Sequence, residues 1–73
     1  MKFELLYQPE KGGDWPFRCQ HNSMSEGPVP FEQFKAWDHW CHKTFESGAW
    51  FRAGASIWCK NRKDALMFIM RWS

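Results

Sequence analysis

The stretch Glu46–Ser73, ESGAWFRAGASIWCKNRKDALMFIMRWS, decides how the rest of the chain is read. It predicts a β-hairpin, Trp50–Ala53 and Ile57–Lys60 around Gly54, running directly into a helix from Arg62 to Trp72. Within each arm the residues alternate, the period of two that a strand imposes. With Ala53-Gly54-Ala55 as the connection, Phe51, Ala53, Ile57 and Cys59 make a small aliphatic face suited to packing under helices. Trp50, Arg52, Trp58 and Lys60 then share the other face, where Trp beside a cation permits cation–π contact. Asn61 is a good N-cap, and Asp64 stands at the third helical position, a variant of the capping box. Ala65, Leu66, Phe68, Ile69 and Trp72 form the core arc of the helix. Met67 and Met70 fall outside that arc, toward Lys63.

What covers this unit lies upstream. Pro30 suits the first turn of a helix, where its missing N–H costs nothing, and Glu32 favours the positive helix end. At 100° per residue, Phe34, Trp37, Cys41, Thr44 and Phe45 fall in one arc with Phe31 and Trp40 at its edges. Glu32, Lys35, His39, His42 and Lys43 take the other side. The prediction is an amphipathic helix over Phe31–Phe45, stopped by Ser47-Gly48. Met1–Gln8 alternates as a strand, with Phe3, Leu5 and Tyr7 on one side and Lys2, Glu4 and Gln8 on the other. Residues 9–30 read as a long, partly mobile loop rich in Gly, Pro, Ser and Asn, inside which Phe17–Gln20 returns as a short second strand.

The assembled expectation is one α+β domain over residues 1–73. An antiparallel sheet of three or four strands carries two helices, in the order β-(β)-α-β-β-α. A reduced ferredoxin-like arrangement is a candidate, because β-α-β-β-α lacks only a final strand.

Composition limits the function. Seventy-three residues hold six Trp, seven Phe and one Tyr. That is more ring area than so small a core hides, so part of it is expected at a surface that a partner covers. The net charge of +2 is uneven: residues 1–38 carry four Lys/Arg against six Asp/Glu, and residues 39–73 carry six against two. The second half is basic enough to meet an acidic surface or a phosphate backbone without demanding one. Three Cys, an odd number, cannot form a complete internal disulfide set. With neither a signal peptide nor an apolar run of membrane-spanning length, the expected compartment is a reducing cytoplasm.

The ending resembles the tails of small uncharacterised tailed-phage proteins. Trp58-Cys59-Lys60, Asp64-Ala65-Leu66-Met67-Phe68 and Arg71-Trp72-Ser73 carry the likeness, over about 15 residues. It implies a phage-type origin, with the host cytoplasm as the compartment, and no assigned activity.

Chemistry-bearing clusters are few. Cys19, His21, His39, Cys41, His42 and Cys59 are all competent zinc ligands. Their spacing matches no standard finger or ribbon, and Cys41 turns to the apolar arc while His39 and His42 turn away. No metal and no other cofactor is expected. Cys19, near Arg18 and His21, is the only exposed candidate for a reactive thiol, and an inert cysteine accounts for it as well. Gly12-Gly13 lacks the Lys-Ser/Thr of a phosphate-binding loop.

Two readings of function follow. The first is a non-enzymatic interaction protein that binds a protein partner or itself through Trp50, Trp58, Met67 and Met70, thioethers being favoured at adaptable surfaces. The second is a single-stranded nucleic-acid module, with Trp50 and Trp58 as stacking platforms and Arg52, Lys60, Arg62 and Lys63 as the phosphate footprint. A solvated helix start accounts for Lys60–Lys63 without any partner.

Overall fold

Alternation, broken only at Leu6, makes Phe3–Tyr7 a strand, Pro30 opens a helix at Phe31, and Asn61 opens another at Arg62. The computed structural model, which describes residues 3–22 and 27–72, joins these into seven elements. They are β1 (Phe3–Tyr7), α1 (Pro9–Gly12), β2 (Phe17–His21), α2 (Phe31–Thr44), β3 (Trp50–Ala53), β4 (Ser56–Cys59) and α3 (Arg62–Trp72). Four strands make one sheet in the order β1-β2-β4-β3, every neighbouring pair antiparallel. It follows that β2 and β3 run parallel with β4 between them, the split unit of a ferredoxin-like sheet. β1 lies on the far side of β2, where the final strand of such a sheet would lie. The N-terminal strand thus fills the place of the missing C-terminal one, a circular permutation of that order.

Residues 9–22 are more structured than a long loop, and residues 23–26, the middle of the expected loop, lie outside the described residues. Pro9 sits at the start of a one-turn helix, and Gly13, at φ 59°, turns the chain back. The Gln8 N–H donates to the Pro16 carbonyl at 2.7 Å, so the β1–β2 hairpin is closed from its first pair. β2 then becomes a central strand, paired with β1 on one side and β4 on the other. Cys19, expected at an exposed position, is fully buried on the helix side of β2.

The hairpin β3–β4 differs from expectation by one residue of register. Trp50 pairs with Cys59, Phe51 with Trp58, Arg52 with Ile57 and Ala53 with Ser56. Only Gly54 and Ala55 separate the strands. Gly54 has φ 62° and among the described residues no non-glycine has positive φ, the pattern of a two-residue turn with Gly first. A one-residue slip moves every side chain of one strand to the other face. Trp50 and Arg52 therefore lie on the helix side with Ile57 and Cys59, whereas Phe51 and Trp58 lie on the opposite side.

The helix side holds the main core: Phe3, Cys19, Ile57 and Cys59 from the sheet, Trp37, Cys41 and Phe45 from α2 and its end, and Ala65, Phe68 and Ile69 from α3. α3 lies over β1, β2 and β4. α2 reaches β3 through the Arg52 Nε–Asp38 Oδ1 ion pair at 2.8 Å and through the His42 ring set edge-on to Trp50. Phe68 meets the edges of Phe3, Trp37 and Trp40, and each such pair adds about 0.5–1.5 kcal/mol beyond area burial.

The outer side carries a second, smaller cluster. Phe51 stacks on Trp58 at an interplanar angle of 4°, Trp15 sets its edge on Phe51, and the Arg18 guanidinium lies 5.2 Å from the Trp58 ring centre. α1 closes over it: a Cβ placed on Gly12 would come within 2.6 Å of the Trp58 ring.

Candidate functional site

Trp58 is only 6 % exposed, held between Gly12, Phe51 and Arg18. Trp50 is half-buried against His42 on the other side of the sheet. The two rings therefore share no surface, and the platform expected from Trp50, Arg52, Trp58 and Lys60 does not form. Its cations are engaged as well. Arg52 bonds Asp38, donates from Nη1 to the Gly54 carbonyl at 2.9 Å and lies 4.8 Å from the Phe34 ring centre; Lys60 lies 5.5 Å from that of Trp15. Arg62 and Lys63 stand exposed at the start of α3, with Asp64 beside them.

Met67 and Met70 are exposed, at 40 % and 81 %, as the helical arc predicts. Two apolar residues not singled out by the sequence join them in the open, Tyr7 at 66 % and Phe31 at 70 %. On α3, Phe68 and Trp72 turn toward α2, where both meet Trp40. At 100° per residue, Leu66 and Met70 turn the opposite way, toward the β1 border of the sheet.

β1 itself ends the sheet, and among the described residues no strand pairs with its outer edge. Its backbone phase is set by Gln8, whose N–H points to Pro16 on the β2 side. Alternate residues share a direction in an antiparallel ladder. Glu4 and Leu6 therefore bond to β2, and the N–H and C=O groups of Phe3, Leu5 and Tyr7 point outward. The strand runs through five consecutive pairs without a bulge. Its one charge, Glu4, lies on the outer face rather than at the edge, and among the described residues no bulge or proline interrupts the strand as edge protection does.

A second feature lies where the end of β2 meets the start of α2 and the end of α3. There a half-open cleft of about 220 Å³ is walled by Phe3, Trp37 and Trp72 and by Pro28, Val29 and Pro30, with His21 and Gln33 as its polar members. His21 Nδ1 and Trp72 Nε1 are both buried, and neither has a hydrogen-bond partner among the described residues. Buried polar atoms are seldom left so, because each unmade bond costs about 1–3 kcal/mol. Sequence reading left His21 in a loop and gave Trp72 to the core, so nothing in the linear pattern joined them.

The thiols are inert in this setting. All three are buried, and Cys19 Sγ donates to the Ala65 carbonyl at 3.4 Å. A hydrogen bond with Cys59, then burial, holds the Cys19 thiol far above its ordinary range. Burial, aided by the nearby Cys59 and Asp38 charges, pushes Cys41 up to about 12. Among the described residues no three His, Cys, Asp or Glu side chains are grouped to hold a metal ion, and no helix is long and apolar enough to cross a membrane.

Comparison with protein-family models, with curated proteins and with solved structures gives no match to this chain.

Proposed function

We propose that the protein is a non-enzymatic interaction module that pairs with a second copy of itself along β1. It would be an accessory factor of the kind implied by its C-terminal likeness to tailed-phage proteins. One observation carries the reading: every outward-pointing backbone group of β1 belongs to Phe3, Leu5 or Tyr7, whose side chains all lie on the helix side of the sheet. An antiparallel copy turned about Leu5 meets Leu5 with Leu5 and Phe3 with Tyr7, each a hydrogen-bonded pair of apolar residues. Glu4 then faces Leu6, and no like charges oppose. This is the self-complementarity of an isologous two-fold contact, and it adds main-chain bonds to the apolar border of Tyr7, Leu66 and Met70. Met67 lies further up the same helix, at the rim.

Sedimentation velocity over a concentration series tests the proposal. The native chain is expected to move from monomer to dimer as concentration rises. Tyr7→Pro removes an N–H that β2 does not use and a side chain that is mostly exposed, so it should leave the fold intact. Its dimer is expected to be at least about tenfold weaker, the loss of roughly one to two hydrogen bonds. Met67→Lys with Met70→Lys is expected to weaken the dimer less, through the rim. A native chain that stays monomeric at millimolar concentration, or a Tyr7→Pro variant that dimerises as well as the native chain, overturns the reading.

A further inference from the structure

The sheet has a second open border at β3, and a helix flanks it. The Lys60 N–H donates to the Ala49 carbonyl at 3.0 Å, so alternation along the hairpin turns Ala49, Phe51 and Ala53 toward β4. The N–H and C=O groups of Trp50 and Arg52 therefore point away from the sheet, and among the described residues no strand pairs with them. α2 reaches this border through side chains, Asp38 to Arg52 and His42 to Trp50. An open groove of about 320 Å³ lies there, lined by Asp38 and His42 of α2 and by Trp50, Phe51 and Arg52, three consecutive residues of β3. A groove that follows a strand edge beside a helix suits an extended peptide that adds to the sheet.

Charge selects the occupant. Arg52 donates from Nε to Asp38 and from Nη1 to the Gly54 carbonyl, and neither bond uses Nη2. His42, which is exposed, lines the same groove. Residues 39–73, which supply His42 and β3, carry six Lys/Arg against two Asp/Glu. A second copy docked here would bring two such basic halves together, whereas the same field draws an acidic segment in.

We propose that the β3 edge takes an extended segment of another protein as a fifth, antiparallel strand, with an acidic side chain opposite Arg52 and apolar ones opposite Phe51 and Trp50. The residues opposite Arg52 and Trp50 exchange both main-chain bonds with them and turn their side chains to the helix side. There the carboxylate accepts from Arg52 Nη2, a charge-assisted bond, and the apolar side chain lies against the Trp50 ring. The site is independent of the β1 edge.

The probe is the capped peptide acetyl-Thr-Glu-Val-Leu-Thr-amide, titrated into the full chain and followed by its backbone amide signals and their hydrogen exchange. The Trp50 and Arg52 amides are expected to shift saturably, with a Kd of about 1 mM or tighter, and to gain protection at saturation. Methylating the Leu nitrogen removes a donor that faces β3 and should weaken binding at least about tenfold; methylating the Val nitrogen, which faces away, should change it by less than about twofold. Gln in place of Glu should weaken binding at least about threefold. The proposal is overturned by no saturable shift up to about 10 mM peptide, by equal binding of the two methylated peptides, or by equal binding of the Gln peptide. A response at Leu5 and Tyr7 in place of Trp50 and Arg52 overturns it too, giving the peptide to β1. So does protection of Trp50 and Arg52 that rises with protein concentration alone, which gives the edge to a second copy.

Discussion

At the scale of single residues, Gly12 shows how a small chain makes room for large rings. It has negative φ within a one-turn helix and needs no unusual backbone. What it lacks is a Cβ, which would press within 2.6 Å of a Trp58 ring already stacked on Phe51. The ring has no free side to move to, so Gly12→Ala is expected to cost about 1–3 kcal/mol in urea unfolding, as overpacking does. A loss below a few tenths would mean that α1 lifts freely from the sheet. The cysteines make the opposite point, because residues that look reactive in sequence are packing groups here. Cys41 has an ordinary value near 9.0 and is pushed up to about 12 in the folded chain. Between those values the unfolded chain has lost the proton that the native chain keeps. Its contribution to stability is therefore complete below about pH 9 and falls as pH rises toward 12. Denaturant midpoints that decline over that interval, and decline less in Cys41→Ala, are the expected result; identical slopes would contradict it.

At the scale of elements, the hairpin β3–β4 is where sequence and structure part. The elements were legible: helix starts at Phe31 and Arg62, strands at Phe3 and Trp50, and the inward alternation of Ile57 and Cys59. The register was not, because a three-residue connection Ala53-Gly54-Ala55 and the two-residue one observed, Gly54-Ala55, fit the same hydrophobic pattern. The choice between them moves Trp50 and Arg52 to the other face. Gly at the first of two positions is itself a turn signal, and Gly54-Ala55 is where the local sequence encodes the register that face composition alone does not. Once on the helix side, Arg52 anchors β3 to α2. The Arg52–Asp38 pair is part-exposed, at 27 % and 34 %, so a double-mutant cycle with Arg52→Ala and Asp38→Ala should give a coupling of about 0.2–1 kcal/mol. A coupling near zero would leave α2 held to β3 by rings alone.

At the scale of the whole molecule, the α+β class and the split βαβ order could be anticipated from the run of elements. Which strand lies at an edge could not. Strand order arises from long-range pairing, and nothing within Phe3–Tyr7 tells whether its second side is covered. The same holds for the cleft, which exists only because the end of β2, the start of α2 and the end of α3 converge. Met67 and Met70 were legible as exposed because helical periodicity is local. Tyr7 was not, since its alternation assigned it to a buried face that runs out at the sheet border. The aromatic surplus is largely absorbed by two ring clusters, one on each side of the sheet, so among the described residues the large apolar side chains left in the open are Tyr7, Phe31, Met67 and Met70.

Self-pairing along β1 makes a prediction that only this strand can meet. Amide hydrogen exchange of the native chain, followed residue by residue at rising protein concentration, reads it directly. Glu4 and Leu6, bonded to β2, should be protected at every concentration. Leu5 and Tyr7 should exchange freely in dilute solution and gain protection as concentration rises, in step with dimer formation. If Leu5 and Tyr7 exchange freely at every concentration, the edge is open, and pairing between copies along β1 is wrong.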